Sequence, residues 1–187
     1  MKMFMQPLVA LAIAVGTTHA GAASIWVDPE NATVDIAQGY YSVGVWMNFG
    51  NDEPTLGGGI DIDLRGPVSF DSFAPSAWFQ SIPDPAFSGH GTTFSQQDYE
   101  VHFGHFNGLS GNNLLGTLKL KLEQTGLADI DLSINPVVGQ FYTAAGAPQV
   151  VSLMDASVLV TAVPEPGALA LFLAGGAFLG LRLKRSR

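Results

Sequence analysis

The chain has 187 residues, of which 47% are hydrophobic, with no cysteine and a formal net charge of −8. Without cysteine there is no disulfide stapling, no thiol catalysis and no lipid attachment through a thiol, so the core must hold by packing alone. An acidic chain repels phosphate backbones and anionic lipid alike, which argues against nucleic-acid binding.

At the N-terminus, Met1-Lys2-Met3 gives a weakly positive start, Leu8 to Val15 an apolar stretch, and Gly16 to Ala23 a run of small residues. This order reads as a secretory signal peptide over residues 1–23, handled by the Sec machinery and signal peptidase. Ala20, Ala22 and Ala23 are the candidate cleavage residues, with a cut after Ala22 favoured because Ala20-Gly21-Ala22 forms an A-x-A site.

The middle of the chain alternates short runs of β-branched and aromatic residues with Gly, Pro, Asn and Asp, and carries no sustained helical period. The predicted strands are Ser24 to Val27, Ala32 to Ala37, Tyr40 to Asn48, Gly59 to Arg65, Val68 to Phe73, Tyr99 to Phe103, Leu114 to Glu123, Ala128 to Ile134 and Val150 to Thr161. Nine strands at this spacing predict one all-β sandwich domain over residues 24–162. Alternation is plainest where Leu118, Leu120 and Leu122 interleave with Lys119, Lys121 and Glu123, and where Ile60, Ile62 and Leu64 interleave with Asp61, Asp63 and Arg65. Each such strand has one dry face and one wet one. Ala74 to Gln97, with Pro75, Pro83 and Pro85, reads as a long loop with one turn of helix, and Phe141 to Pro148 as a flexible connection.

Little in this middle segment points to catalysis. The Gly108-Leu109-Ser110-Gly111 stretch fails the spacing of a nucleophile elbow, and neither an H-E-x-x-H motif nor a phosphate loop is present. His102 and His105, three apart on a strand, point to opposite faces unless Gly104 makes a bulge, so no metal site is assigned to them. Asp61 with Asp63, and Asp129 with Asp131, share strand faces. Oxygen pairs of this kind can contribute to a Ca2+ shell, but no EF-hand-like loop completes one, and solvated faces are the simpler reading. The expectation is therefore a protein that is not an enzyme and has no resident cofactor. Trp26, Trp46 and Trp78 carry rings suited to stacking on sugars, most of them expected to fill the core; Trp78, in the long loop, is the candidate ligand contact.

The tail, residues 163–187, reads as an address. Val163-Pro164-Glu165-Pro166-Gly167 precedes an apolar run from Ala168 to Leu181, which is followed by Arg182, Lys184, Arg185 and Arg187. The run suits a short transmembrane helix, and the terminal bases would hold it with the domain outside the membrane. Pro-Glu-Pro, a short span and a basic cluster, in that order at a C-terminus, resemble the PEP-CTERM sorting signal of Gram-negative bacteria that make exopolysaccharide. The resemblance implies that an exosortase recognises Val163 to Gly167, and that this tail is a substrate and not a catalyst. Loss of both ends would leave Arg65, Lys119 and Lys121 against fifteen acids from Asp28 to Asp155, a formal net charge of −12.

The runs Gly39 to Trp46, Leu56 to Leu64, Leu115 to Leu120 and Ala128 to Ser133 resemble the cohesin-like, carbohydrate-binding-module-like sandwich of secreted bacterial proteins. In place of the Asp-Pro step cohesins often carry after the glycine-rich strand, this chain has Arg65-Gly66-Pro67. Taken together, the expectation is an exported envelope or biofilm-matrix protein, anchored in the inner membrane before processing and extracellular afterwards, with a structural or adhesive role. An exopolysaccharide-binding module is the alternative, and a small extracellular hydrolase the third reading.

Overall fold

The computed structural model describes residues 23–82, 87–92 and 98–162. The motif Val163 to Gly167, the apolar run, the bases Arg182, Lys184, Arg185 and Arg187, and Ala20 and Ala22 lie outside them. Two sheets face each other. The first takes β1 (Ser24–Asp28), β3 (Tyr40–Phe49), β5 (Val68–Pro75), β8 (Gly111–Leu122) and β11 (Ser152–Met154) in the order β11-β1-β3-β8-β5. The second takes β2 (Asn31–Asp35), β4 (Thr55–Arg65), β6 (Gly89–Thr92), β7 (Asp98–Leu109), β9 (Gly126–Ile134) and β12 (Ala156–Thr161) in the order β2-β12-β9-β4-β7-β6, with β10 (Tyr142–Thr143) paired to β4.

The inner faces come from strict alternation. Val43, Val45, Met47 and Phe49 of β3 and Leu118, Leu120 and Leu122 of β8 meet Ile60, Ile62 and Leu64 of β4 and Ala128, Ile130 and Leu132 of β9. Lys119 and Lys121 stay on the wet face and pair with Asp71 at 3.1 Å and Glu123 at 2.9 Å. All nine predicted strands are present, and division of the last one, together with the added β6 and β10, raises the number to twelve. The last predicted strand divides at Asp155, whose Oδ1 accepts from the Leu132 N–H at 2.7 Å, so that β11 and β12 lie in different sheets. A short β6 forms inside the long loop, which also carries the single turn α1 (Ala77–Gln80). The second strand stops at Asp35, because its carboxylate accepts from Ala37 N–H and bends the chain into a 3-10 turn closed by Gly39 at φ 71°.

The tract from Phe141 to Pro148 corrects the expectation of a flexible connection. Phe141 is 2% exposed and packs 5.7 Å from Phe49 and 5.8 Å from Phe103, centroid to centroid. Its ring sits over Gly58, where a Cβ would meet ring carbons at 2.8 Å. The turn behind it is closed by Thr143 N–H to Ala147 O and Ala144 N–H to Pro54 O, both 2.8 Å. A large ring in an otherwise open end of the core is what orders the segment.

The first and last parts of the domain run side by side. β1 pairs with β11 and β2 with β12, both parallel, so Ser24 lies beside Ser152 and Asp35 beside Thr161. Ala23 and Ala162 therefore leave from opposite ends of the sandwich.

Candidate functional site

The outer face of the second sheet holds the most unusual surface. Side chains at every second position point outward, so on β4 this face carries Gly57, Gly59, Asp61 and Asp63, and on β7 Gly104, His102, Glu100 and Asp98. Register places them opposite one another: Gly57 by Gly104, Gly59 by His102, Asp61 by Glu100, Asp63 by Asp98. One end of the face is thus bare backbone and the other an acidic ladder.

At the bare end lies a cavity of about 310 Å³ lined by Leu56, Gly57, His102, Gly104, Phe106 and Val138 among others. Its glycines are structural necessities. Gly57 has φ 121°, and a Cβ there would stand 2.0 Å from the Phe103 carbonyl oxygen; at Gly104 it would stand 2.9 Å from Leu56 O. Two aromatic rings wall the groove, Phe87 and Phe106, edge to face at 5.1 Å and still 48% and 73% exposed. On the other side stand Val138, at 47%, and beside it Val137, at 88%. Exposed apolar side chains gathered round a concave floor are uncommon on a protein that has no use for them.

Asn135 fixes the valine wall. Its Oδ1 accepts from the Val137 and Val138 N–H groups at 2.9 Å each, and its Nδ2 donates to Asp61 at 2.6 Å and Glu100 at 3.3 Å. The same side chain thereby ties the apolar wall to the first rung of the ladder. The second rung is Asp63 with Asp98. Burial, a hydrogen bond shared with Asp98, and the charges of Asp98 and Asp61 raise the Asp63 carboxyl above its ordinary value, against an opposing pull from Arg65. Like charges directly opposite in a sheet destabilise it. Arg65 is committed elsewhere, to Asp131 at 3.1 Å.

The histidines take three different roles. His102 lines the groove with its ring across Gly89, and its Nδ1 is buried with no hydrogen-bond partner among the described residues. His105 reaches the same groove because the β4–β7 register jumps from Gly57–Gly104 to Thr55–Leu109, a bulge of the kind on which the sequence reading made their convergence conditional. His90, on the edge strand β6 and exposed, lies next to the Tyr99 hydroxyl, with Phe73 at 5.2 Å and Phe79 at 6.3 Å. Burial, then the nearby His102, lowers the His90 pKa, and burial, then Glu100, pushes Tyr99 up to about 12. A neutral imidazole and a protonated phenol follow, joined by a hydrogen bond between His90 Nδ1 and the Tyr99 hydroxyl. Among the described residues no group of three or more His, Asp and Glu is arranged to hold a metal ion.

The tryptophans divide otherwise than expected. Trp78, the ligand-contact candidate, sits in α1 behind a Ser76 N-cap and packs against the core. Trp26 and Trp46 lie side by side on the outer face of the first sheet, centroids 6.3 Å apart and planes within 14°. Gly44 permits this, since a Cβ there would stand 2.6 Å from the Trp46 indole nitrogen. Met154 and Leu114 extend the row across the strands, and Asn48 and Asn112 border it. Periodicity puts these rings on an outward face in retrospect, because Trp26 falls between buried Ile25 and Val27, and Trp46 between Val45 and Met47.

The groove stands well away from the C-terminal exit. β4 runs from Gly57 in the groove to Arg65, eight steps and roughly 26 Å along the strand. Arg65 pairs with Asp129, Asp129 with Ser157, and β12 continues in that direction to Thr161.

No protein-family model matches the chain, and no curated protein matches it. Solved structures do. A non-cellulosomal cohesin from Archaeoglobus fulgidus superposes with a TM-score of 0.56 at 12% identity, covering 80% of this chain and 97% of that one. A type I cohesin from Pseudobacteroides cellulosolvens gives 0.59 at 10%, covering 78% and 96%. The cohesin–dockerin complex from Clostridium thermocellum gives 0.60 at 11%, covering 79% and 99%. At such identities the likeness is one of fold, and the fold is a cohesin-like β-sandwich.

Proposed function

We propose that this protein is an exported adhesive or scaffolding module that holds a protein partner in the glycine-floored groove of its second sheet. The observation that carries the reading is the pair Phe87 and Phe106, left open beside a floor where backbone is exposed for close approach. Buried aromatic anchors in well-desolvated pockets dominate binding energy at protein interfaces. That one cohesin neighbour was solved with a dockerin supports a protein as the occupant. In this reading the Sec machinery and signal peptidase remove residues 1–22, the tail holds the precursor in the inner membrane, and an exosortase acts at Val163 to Gly167. The groove, at the end opposite Ala162, would then face away from the bilayer into the envelope or matrix. The test is capture of envelope proteins on the processed protein: Phe106→Ser should lose the captured partner, and retention of the same partner by Phe106→Ser would end the reading.

Trp26 and Trp46 favour a second reading, an exopolysaccharide-binding face on the other sheet. Near-parallel indoles bordered by Asn48 and Asn112 offer stacking and hydrogen bonds to sugar rings. Affinity electrophoresis in extracted exopolysaccharide should retard the wild type and spare Trp46→Ala; equal migration of both removes this reading.

A further inference from the structure

Resting on the groove reading above, we infer that the partner is a cationic protein segment, with an apolar anchor for the groove and Lys or Arg residues for the acidic ladder beside it. The two surfaces are continuous, since Gly57, Gly59, Asp61 and Asp63 follow one another along the outward side of β4 and meet Gly104, His102, Glu100 and Asp98. Asp129 and Asp131 widen the acidic strip on β9. Between residues 24 and 162 the only Arg and Lys are Arg65, Lys119 and Lys121. Both lysines belong to the first sheet, and Arg65 is paired with Asp131. The six carboxylates of the strip thus outnumber its one base, Arg65, and leave it net negative.

That charge works against the fold. Two like-charged pairs stand directly opposite across β4 and β7, an arrangement that costs stability, and burial together with the hydrogen bond and charge of Asp98 raises the Asp63 carboxyl above its ordinary value. Asn135 already bridges the first rung, and a basic side chain laid across the second would relieve Asp63 and Asp98. The anchor and the charges have distinct tasks: burial of an apolar side chain between Phe106 and Val138 resists dissociation, while the acidic strip steers encounter and rejects acidic competitors. A second copy of this chain is ruled out as occupant of the strip by its own acidity.

The test uses the processed protein and two short peptides, each with a Leu-Phe anchor, one followed by a run of lysines and its twin by glutamates. Fluorescence anisotropy should show binding of the lysine peptide and none of its twin. Asp63→Lys should slow association about tenfold or more at low salt, the range electrostatic steering supplies, and the difference should close as salt rises to about 0.3 M. Asp63→Asn with Asp98→Asn should act in the same direction and leave intact Asp61 and Glu100, which hold the Asn135 turn. Equal binding of the two peptides, or a salt-independent rate in wild type, overturns the cationic assignment. Capture from the envelope fraction separates the two failures. A partner lost with Phe106→Ser but kept with Asp63→Lys keeps the groove and rejects the cationic segment, whereas a partner kept with both rejects the groove itself. Capture that survives protease treatment of the fraction overturns a protein occupant in favour of an amine-bearing polysaccharide.

Discussion

At the scale of single residues, the ladder and His90 make opposite demands on pH. Asp63 faces Asp98 across the sheet, so replacing Asp63 by Asn should stabilise the fold at pH 7 by about 0.2–1 kcal/mol, the range of one cross-strand pair. Because the folded carboxyl has a raised pKa, the repulsion is present above that pKa and relieved as pH falls through it. The advantage of Asp63→Asn should therefore shrink in acid, and thermal melts at pH 7 and pH 4 measure it. His90 behaves in the reverse sense. Its pKa is lowered in the fold, so below about 6.5 the unfolded chain takes up the proton first and stability falls with pH. His90→Gln should lose less Tm between pH 7.5 and pH 5.5 than the wild type; an equal loss would mean that His90 is not held neutral. Asp61, Asp63, Asp129 and Asp131 were legible as wet-face residues from alternation, but their opposition to Glu100 and Asp98 was not. Register between strands some 40 residues apart leaves no trace in either strand alone.

At the scale of elements, the glycines of β4 show why a strand can be both core and site. Gly58 faces inward and admits the Phe141 ring, while Gly57 lies in the floor of the groove and Gly59 gives room to the Val138 side chain, which a Cβ there would meet at 2.9 Å. Phe141→Ala should cost about 3–5 kcal/mol through the cavity left between Phe49 and Phe103, read as a lower denaturation midpoint with β10 freed. Gly57→Val should be at least as damaging, since its Cβ would enter the Phe103 carbonyl at positive φ. The sequence reading placed this strand at Gly59 to Arg65, whereas it begins at Thr55. Glycine has low strand propensity, and only the neighbours β7 and β10 hold residues 55 to 58 extended. The same dependence explains Trp26 and Trp46: composition suggests core filling for any large ring in a cysteine-free sandwich, but the strand's parity turns both outward.

For the whole molecule, the paired first and last strands decide how the domain presents itself. The Ala23 carbonyl accepts from Ser152 N–H at 2.9 Å, so a cut after Ala22 keeps this bond and a cut after Ala23 removes it. The exact mass of the exported protein should place Ala23 first and end the chain near Val163 to Gly167; a product that retains Arg187 would contradict processing of the tail. The two proposed targeting segments rest on sequence alone, because recognition of such segments depends on local order, namely charge, apolar length and small residues in succession. The positions of the nine main strands and their alternation are local in the same sense, which is why the sandwich was legible. Sheet order, the opposition of carboxylates, the joining of Phe87, Phe106 and Val138 round bare glycines, and the opposite exits of the two termini arise from pairings between distant segments. These the tertiary structure alone decided, because a strand's pattern specifies which face is dry but not which strand will lie beside it.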